Sequence, residues 1–541
     1  MIKKIYRVGL MGIAVLAAFT SCSDEQQFTN EKHDAKKVDV QVLNADLAKV
    51  RDYVPLYAVV AHRGSTFWAP EETESSWRWA REMGADYLES DLQCTKDGIV
   101  LANHDENLKR TTNIENVFSE SVPTTRVQFY EMLGFSHADA FAQYQRDIAA
   151  FRPFYTLSYY YAELLMLDAG SWFDESSLEQ ARISFEASHN GYFKDGKLVY
   201  SDGQYVSALQ DQIAFAKGQM LKRNANGERV LPFKVKAEYA GMTLEEIWSA
   251  IKAKGEYNAK YMDFIEYDFA NAYVNDPEDT GNRPGIYIEF KESWLNPGNM
   301  EKRVYDVLNE QGWNIITQPA TETAFYKNGK VNVGNTNGKV ILQTFSFDAL
   351  RRAYDVFKGQ VPMCYLLWTS TPAYATDIAY TTPTGYAAFI KWAQDYGAHI
   401  IGPAISGAPN NYPEMNNPWQ AYMIRKSGML NHPYSFDSYA QMTKYMGYYN
   451  YGWDTEFDDL LRLTVPATPY TTFSGASSSN PVYMDGFFTN RSEMSLLYMI
   501  ENGFRCNPSL PNPFHPGQTY DNSQAPSVVP DAVATLKRLG Y

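Results

Sequence analysis

The chain has 541 residues, 45% hydrophobic and 21% charged, which is the composition of an ordinary globular protein able to bury a sizeable core. A formal net charge of −15 offers no basic footprint for a phosphate backbone and excludes nucleic acid as a partner. The four cysteines, Cys22, Cys94, Cys364 and Cys506, lack C-x-x-C spacing, which argues against zinc and against a disulfide framework.

The amino-terminal segment reads as a targeting signal. MIKKIYR is basic, VGLMGIAVLAAF is apolar but too short to span a membrane comfortably, and Thr20-Ser21-Cys22 closes it. This pattern resembles a bacterial lipoprotein signal, which implies cleavage after residue 21 and lipidation of Cys22. The acidic Ser23-Asp24-Glu25 that follows resembles the export tag of surface lipoproteins. The expected location is the cell envelope, anchored to the outer membrane and surface-exposed. Residues 22–52 are polar and charged, the composition of a flexible tether.

The densest chemistry lies between Val59 and Thr112. VVAHRG is a β-branched run ending in His62, Arg63 and Gly64. A helix is predicted from Thr73 to Met83, with Thr73 as N-cap and Gly84 as stop. DYLESDLQ alternates as a strand, with Tyr87, Glu89, Asp91 and Gln93 on one face. IVLANHD reads as a third strand with His104 and Asp105 at its end. Glu89 and Asp91 can grip one hard cation, and oxygen ligands suit Ca²⁺ or Mg²⁺. Two histidines beside such an ion can supply a base and an acid. Singly, each feature reads as an exposed strand or an unrelated surface histidine; the combination points to a site.

Residues 113–282 break the strand–helix rhythm in a long Tyr-, Phe- and Ala-rich insertion. It contains a helix-like run from Gln204 to Lys222, a capping box between Thr243 and Glu246, and a hairpin around Asp195-Gly196. The rhythm resumes at GIYIEFKES, where Tyr287, Glu289 and Lys291 share a face. Alone, that pair would be a solvent-facing ion pair on an edge strand. Further units follow: a helix near Glu301–Gln311, then strands at Lys339–Thr344, Val361–Thr369, Gly397–Pro403, Leu430–Phe436 and Met484–Ser492. A last short helix runs from Pro530 to Leu539. Repeated strand–helix units imply a parallel sheet with right-handed crossovers.

Five motifs in order resemble the glycerophosphodiester phosphodiesterase family, in its periplasmic or lipoprotein form. They are His62-Arg63-Gly64, Pro70-Glu71-Glu72-Thr73, Gly84-Ala85-Asp86 with Glu89 and Asp91, Thr95-Lys96-Asp97-Gly98, and His104-Asp105. Leu167–Phe173, Thr243–Ile247, Glu289-Phe290-Lys291 and the His-Pro-Tyr of Leu430–Phe436 are also similar to family stretches. Four positions depart from the family: Glu72 replaces an Asn, Thr344 stands where Ser is common, and Asn490 and Ser492 replace an Asp and a Pro in the closing motif. No catalytic role is expected at that closing motif.

The resemblance implies an α/β fold, a (β/α)8 TIM barrel with a large, mainly helical insertion. The divisions are a signal at 1–21, tether at 22–52, first barrel part at 53–112, insertion at 113–282, and second barrel part with a tail at 283–541. It implies metal ligation by Glu89, Asp91 and Glu289, with Glu71 and Glu72 supporting them from behind. Arg63 and Lys291 would bind phosphate, His62 would act as base and His104 as acid. One divalent cation, Ca²⁺ or Mg²⁺, is the expected cofactor, and a small phosphodiester the expected substrate. The implied activity is hydrolysis of glycerophosphodiesters to an alcohol and glycerol phosphate. The alternatives are a cyclising lyase, as in the similar spider-venom phospholipases D, and a non-catalytic binding lipoprotein. The insertion is expected to form a lid that selects substrates without touching the chemistry.

Overall fold

The computed structural model of the chain describes residues 34–174, 192–194, 197–199, 203–225, 227–230, 233–253, 264–291, 295, 300–368, 379–446, 455–471 and 477–541. The targeting segment, Cys22 and the Asp195-Gly196 turn lie outside the described residues, although strands Tyr192–Lys194 and Lys197–Val199 flanking that turn pair antiparallel.

Eight parallel strands form the centre: β1 (Ala58–Ala61), β2 (Tyr87–Cys94), β3 (Gly285–Phe290), β4 (Val340–Thr344), β5 (Met363–Leu367), β6 (Ile400–Pro403), β7 (Leu430–Asn431) and β8 (Gly486–Thr489). Each pairs with the next in chain order up to β7, and β8 returns to pair with β1. The β7–β8 seam is closed by backbone bonds from Asp485 to Asn431 (2.8 Å), Phe488 to Pro433 (3.1 Å) and Phe436 to Phe488 (2.8 Å). All eight strands are buried along their length, as expected when helices cover a parallel sheet.

A helix follows each strand: α1 (Glu74–Met83), α2 (Leu209–Ala216), α3 (Met300–Glu310), α4 (Phe347–Phe357), α5 (Pro383–Asp395), α6 (Pro418–Lys426), α7 (Tyr439–Tyr445) and α8 (Ser492–Glu501). The predicted boundaries of α1 hold. Thr73 caps its start, and Gly84 ends it at φ 92°, where a side chain would be strained. Proline at the first turn starts α5 and α6, where its missing N–H costs nothing.

Three expectations are corrected, and the insertion is refined. IVLANHD is not a barrel strand: Val100–Ala102 turns back antiparallel on β2, and His104 sits in the loop beyond it. The run Gln204–Lys222 supplies the barrel's own second helix, because Gln212 Nε2 clips α2 to the Leu88 carbonyl at 2.9 Å. The tether ends sooner than expected. Residues 34–52 include the helix Ala45–Arg51, and Lys426 Nζ and the Ser427 carbonyl hold Val38 and Leu43 against α6. Among its described residues the insertion carries more helix than strand. Helices Arg126–Met132, His137–Ala150 and Leu244–Ala253 mix with antiparallel pairs around a separate core of Phe129, Tyr130, Tyr160, Ile247 and Phe264.

Within the barrel, rings replace the usual aliphatic filling. Tyr287 lies 4.9 Å from Phe488, 5.8 Å from Tyr87 and 6.1 Å from His432 between ring centroids. Two glycines make room. A Cβ at Gly285 would stand 2.6 Å from the Tyr87 ring, and one at Gly486 would stand 2.5 Å from His432 Nε2.

Candidate active site

The site lies at the C-terminal ends of the strands, the face where barrels carry their chemistry. After β1 the chain makes a strained turn, with Arg63, Gly64 and Ser65 at φ 49°, 84° and 68°. Gly64 is required there, since a Cβ would fall 2.4 Å from Ser76 Oγ. The turn points His62 and Arg63 over the barrel mouth. The Arg63 backbone N–H donates to Glu89 Oε2 at 2.7 Å.

Strand register assembles the acidic group. Asp91 lies opposite Glu289, and Glu289 opposite Gln343, with Glu89 one inward position earlier on β2. One oxygen from each of Glu89, Asp91 and Glu289 lies within 4.8 Å of the others, and all three are buried. Gln343 Nε2 donates to Glu89 Oε1 at 2.8 Å, and the Asp91 backbone N–H donates to Glu72 Oε1 at 2.6 Å. Glu72 thus supports the Asp91 backbone from behind. Glu71 instead receives Arg110 at 2.6 and 3.0 Å and Arg63 at 3.4 Å.

Crowding without a cation perturbs these acids in a telling pattern. Burial and the Asp91 charge push Glu89 well above the usual carboxylate range. Burial raises Glu289 to about 8 despite Lys291, and its carboxyl hydrogen-bonds that of Asp91. Burial also opposes ionisation of Asp91, but Lys291 and Arg63 overcome it and hold that carboxyl well below its ordinary value. Burial and Asp91 raise Glu72 as well. Asp91 Oδ2 has Arg63 Nε at 3.0 Å and makes no hydrogen bond of good geometry. Three converging oxygen donors that repel one another when ionised fit a hard divalent cation.

The two histidines are backed by different groups. His62 Nδ1 lies 2.7 Å from Asn490 Oδ1, whereas His104 Nδ1 lies 2.5 Å from the Asp105 carboxylate, which Arg110 also holds at 2.6 Å. His104 Nε2 lies 3.1 Å from Lys291 Nζ. Lys291 Nζ is also 3.4 Å from Glu289 and 3.9 Å from Asp91. Burial and the Arg63 charge lower His62 to about 4, leaving it neutral near pH 7. The same two causes lower His104.

His62, Arg63, Glu89, Asp91, His104, Glu289 and Lys291 therefore all line one cavity of about 430 Å³. Its opposite wall comes from β4–β8 and is aromatic, with Phe345, Trp368, Tyr412, Tyr434 and Phe488. Sequence reasoning missed that wall, and it missed Gln343, Arg110 and Asn490. Asn490 backs His62 without touching the reacting centre, so the closing motif closes the barrel and adds a supporting contact.

Fold and site together define a (β/α)8 barrel whose mouth holds an acidic triad, two imidazoles and two cationic side chains. Residues 62–251 match the glycerophosphoryl diester phosphodiesterase family. The chain is 23% identical over 404 residues to the glycerophosphodiester phosphodiesterase of Bacillus subtilis (strain 168), covering 74% of this chain and 84% of the relative. It is 33% identical over 129 residues to glycerophosphoinositol inositolphosphodiesterase GDPD2 of Mus musculus, covering 24% of this chain but only 18% of that relative. Among solved structures, an Oleispira antarctica phosphodiesterase in complex with the product sn-glycerol-3-phosphate is similar. It has 13% identity and a TM-score of 0.38, covering 82% of this chain and 96% of that one.

Proposed function

We propose that the protein is a cation-dependent glycerophosphodiester phosphodiesterase that releases an alcohol and glycerol phosphate. The observation that carries this reading is the convergence of His62, His104 and the Glu89–Asp91–Glu289 triad on one cavity with Arg63 and Lys291. A divalent cation, Ca²⁺ or Mg²⁺, held by the triad would supply Lewis-acid charge to a non-bridging phosphate oxygen. Lys291 and Arg63 add positive charge on the same side, Arg63 through the face not occupied by Asp91 and Glu71.

His62, neutral near pH 7, takes the proton from the attacking hydroxyl through Nε2. His104 gives a proton to the departing alkoxide through its own Nε2. An ammonium only donates, so at rest that nitrogen accepts from the charged Lys291 at 3.1 Å; to act as the acid it first takes a proton from solvent, while Lys291 keeps its charge for the phosphate. Asp105 and Arg110 hold the ring in place meanwhile.

The test is phosphorus NMR of products from a panel of glycerophosphodiesters. A linear phosphomonoester formed without delay supports attack by water, whereas an accumulating cyclic phosphate supports the lyase reading. No product from any member would leave a binding lipoprotein. The amino-terminal segment is proposed as a lipoprotein signal whose lipid on Cys22 anchors the protein in the outer membrane. Loss of fatty-acid labelling in a Cys22→Ser variant tests that.

A further inference from the structure

We propose that Asn490, held by Asp437, is a positioning residue that fixes His62 as its Nδ1–H tautomer and so aims the Nε2 lone pair at the reacting centre. What the lone pair does there rests on the phosphodiesterase reading; the tautomer is a property of the resting protein.

The argument starts from Asp437, which is buried just beyond β7. Its Oδ1 accepts the Asn490 backbone N–H at 2.9 Å. Its Oδ2 accepts Asn410 Nδ2 at 2.6 Å and Asn490 Nδ2 at 3.1 Å. Asn410 cannot be turned round, because the same Nδ2 also donates to the Ser435 carbonyl at 3.0 Å, and a carbonyl only accepts. Three N–H donors thus converge on one carboxylate. That fixes the Asn490 amide with its nitrogen toward Asp437 and its oxygen toward His62.

Asn490 Oδ1 lies 2.7 Å from His62 Nδ1, and a carboxamide oxygen cannot donate. Nδ1 therefore carries the proton, against the preference of a free imidazole for Nε2–H. The chain Asp437–Asn490–His62 orders the ring as a carboxylate would, but an amide places no negative charge on it. Of the charged groups facing His62, Arg63 and His104 oppose an imidazolium and Asp91 favours one. His104 is instead backed directly by the Asp105 carboxylate. One imidazole is thus set as a neutral acceptor and the other as the easier one to protonate.

The tautomer is read directly by ¹⁵N NMR of the full chain labelled at histidine, with the His62 signals assigned by their loss in His62→Gln. At pH 7 the expected result is a protonated Nδ1 and an unprotonated Nε2. Asn490→Leu should move the proton toward Nε2 and lower kcat by about 10–100-fold with KM unchanged, the usual cost of removing such a partner. A wild-type ring protonated on Nε2 would overturn the proposal, as would an Asn490→Leu protein with unchanged tautomer and kcat. Failure to hydrolyse any diester strikes only the proposed function, since the tautomer is measured without turnover.

Discussion

His104 separates two roles that its contacts allow. It can protonate a leaving alkoxide, or it can merely hold Lys291, whose Nζ is 3.1 Å away. Leaving-group chemistry distinguishes them. A polyol alkoxide needs a proton to depart and a nitrophenolate does not. His104→Ala should therefore cost about 10²–10⁴-fold against a glycerophosphodiester and far less against a nitrophenyl ester. Equal losses for both would leave only the holding role. The acids give a second test at this scale. Burial raises Glu289 to about 8 and, with the Asp91 charge, lifts Glu89 well above its ordinary range, so these acids resist ionising side by side. Cation binding needs carboxylates, so it should release at least about one proton and strengthen as pH rises toward 8. Calorimetry in buffers of different ionisation heat reads that proton; heats independent of the buffer would contradict the assignment.

At the scale of elements, His432 shows how tightly the barrel is filled. It is buried against Gly486 and Tyr287, its Nε2 has no hydrogen-bond partner, and burial lowers it to about 3. A histidine lowered on folding contributes stability that is present above its unfolded value of about 6.5 and is lost as pH falls from there toward 3. Denaturant unfolding of wild type should weaken across that window, and His432→Phe should show a shallower decline. Identical slopes would contradict the account.

The elements also divide what was legible from what was not. α1 could be read because its cap, its stop and its apolar spacing are local. Glu89 and Asp91 could be read because a strand's alternation fixes which residues share a face, whereas Glu289 was reached only through the family resemblance of its Glu-x-Lys. The hairpin Val100–Ala102 could not, since an apolar run does not reveal whether it pairs parallel or antiparallel. α2 was hidden inside the insertion because its place depends on Gln212 reaching Leu88, 124 residues away in the chain. The aromatic wall and the Asp437–Asn490–His62 chain join distant strand ends, which no local pattern records.

Across the whole molecule, the insertion does more than cover the site. Its backbone grips the loop that follows His104: Thr156 donates to the Glu106 carbonyl at 3.0 Å, and Leu108 donates to that of Phe154 at 2.9 Å. Shortening the insertion through this clamp is therefore expected to slow chemistry as well as change substrate preference, contrary to the expectation of a lid that acts on selection alone. The rest of the insertion is fastened to α2 by the buried pair Arg229–Asp211 at 2.5 Å, with Tyr161 and Tyr273 bonded to Asp211. Arg229→Leu strands Asp211 as an unpaired buried acid and should cost about 3–5 kcal/mol, seen as a lower denaturation midpoint. An unchanged midpoint would show that the pair does not join the two parts. The most direct test of the whole account is phosphomonoester release from a glycerophosphodiester panel, followed through chelation and cation restoration. The account predicts release that stops on chelation, returns with Ca²⁺ or Mg²⁺, and fails to return in Glu89→Gln/Asp91→Asn. Release that continues undiminished in the chelated protein, or in that double variant, would contradict it.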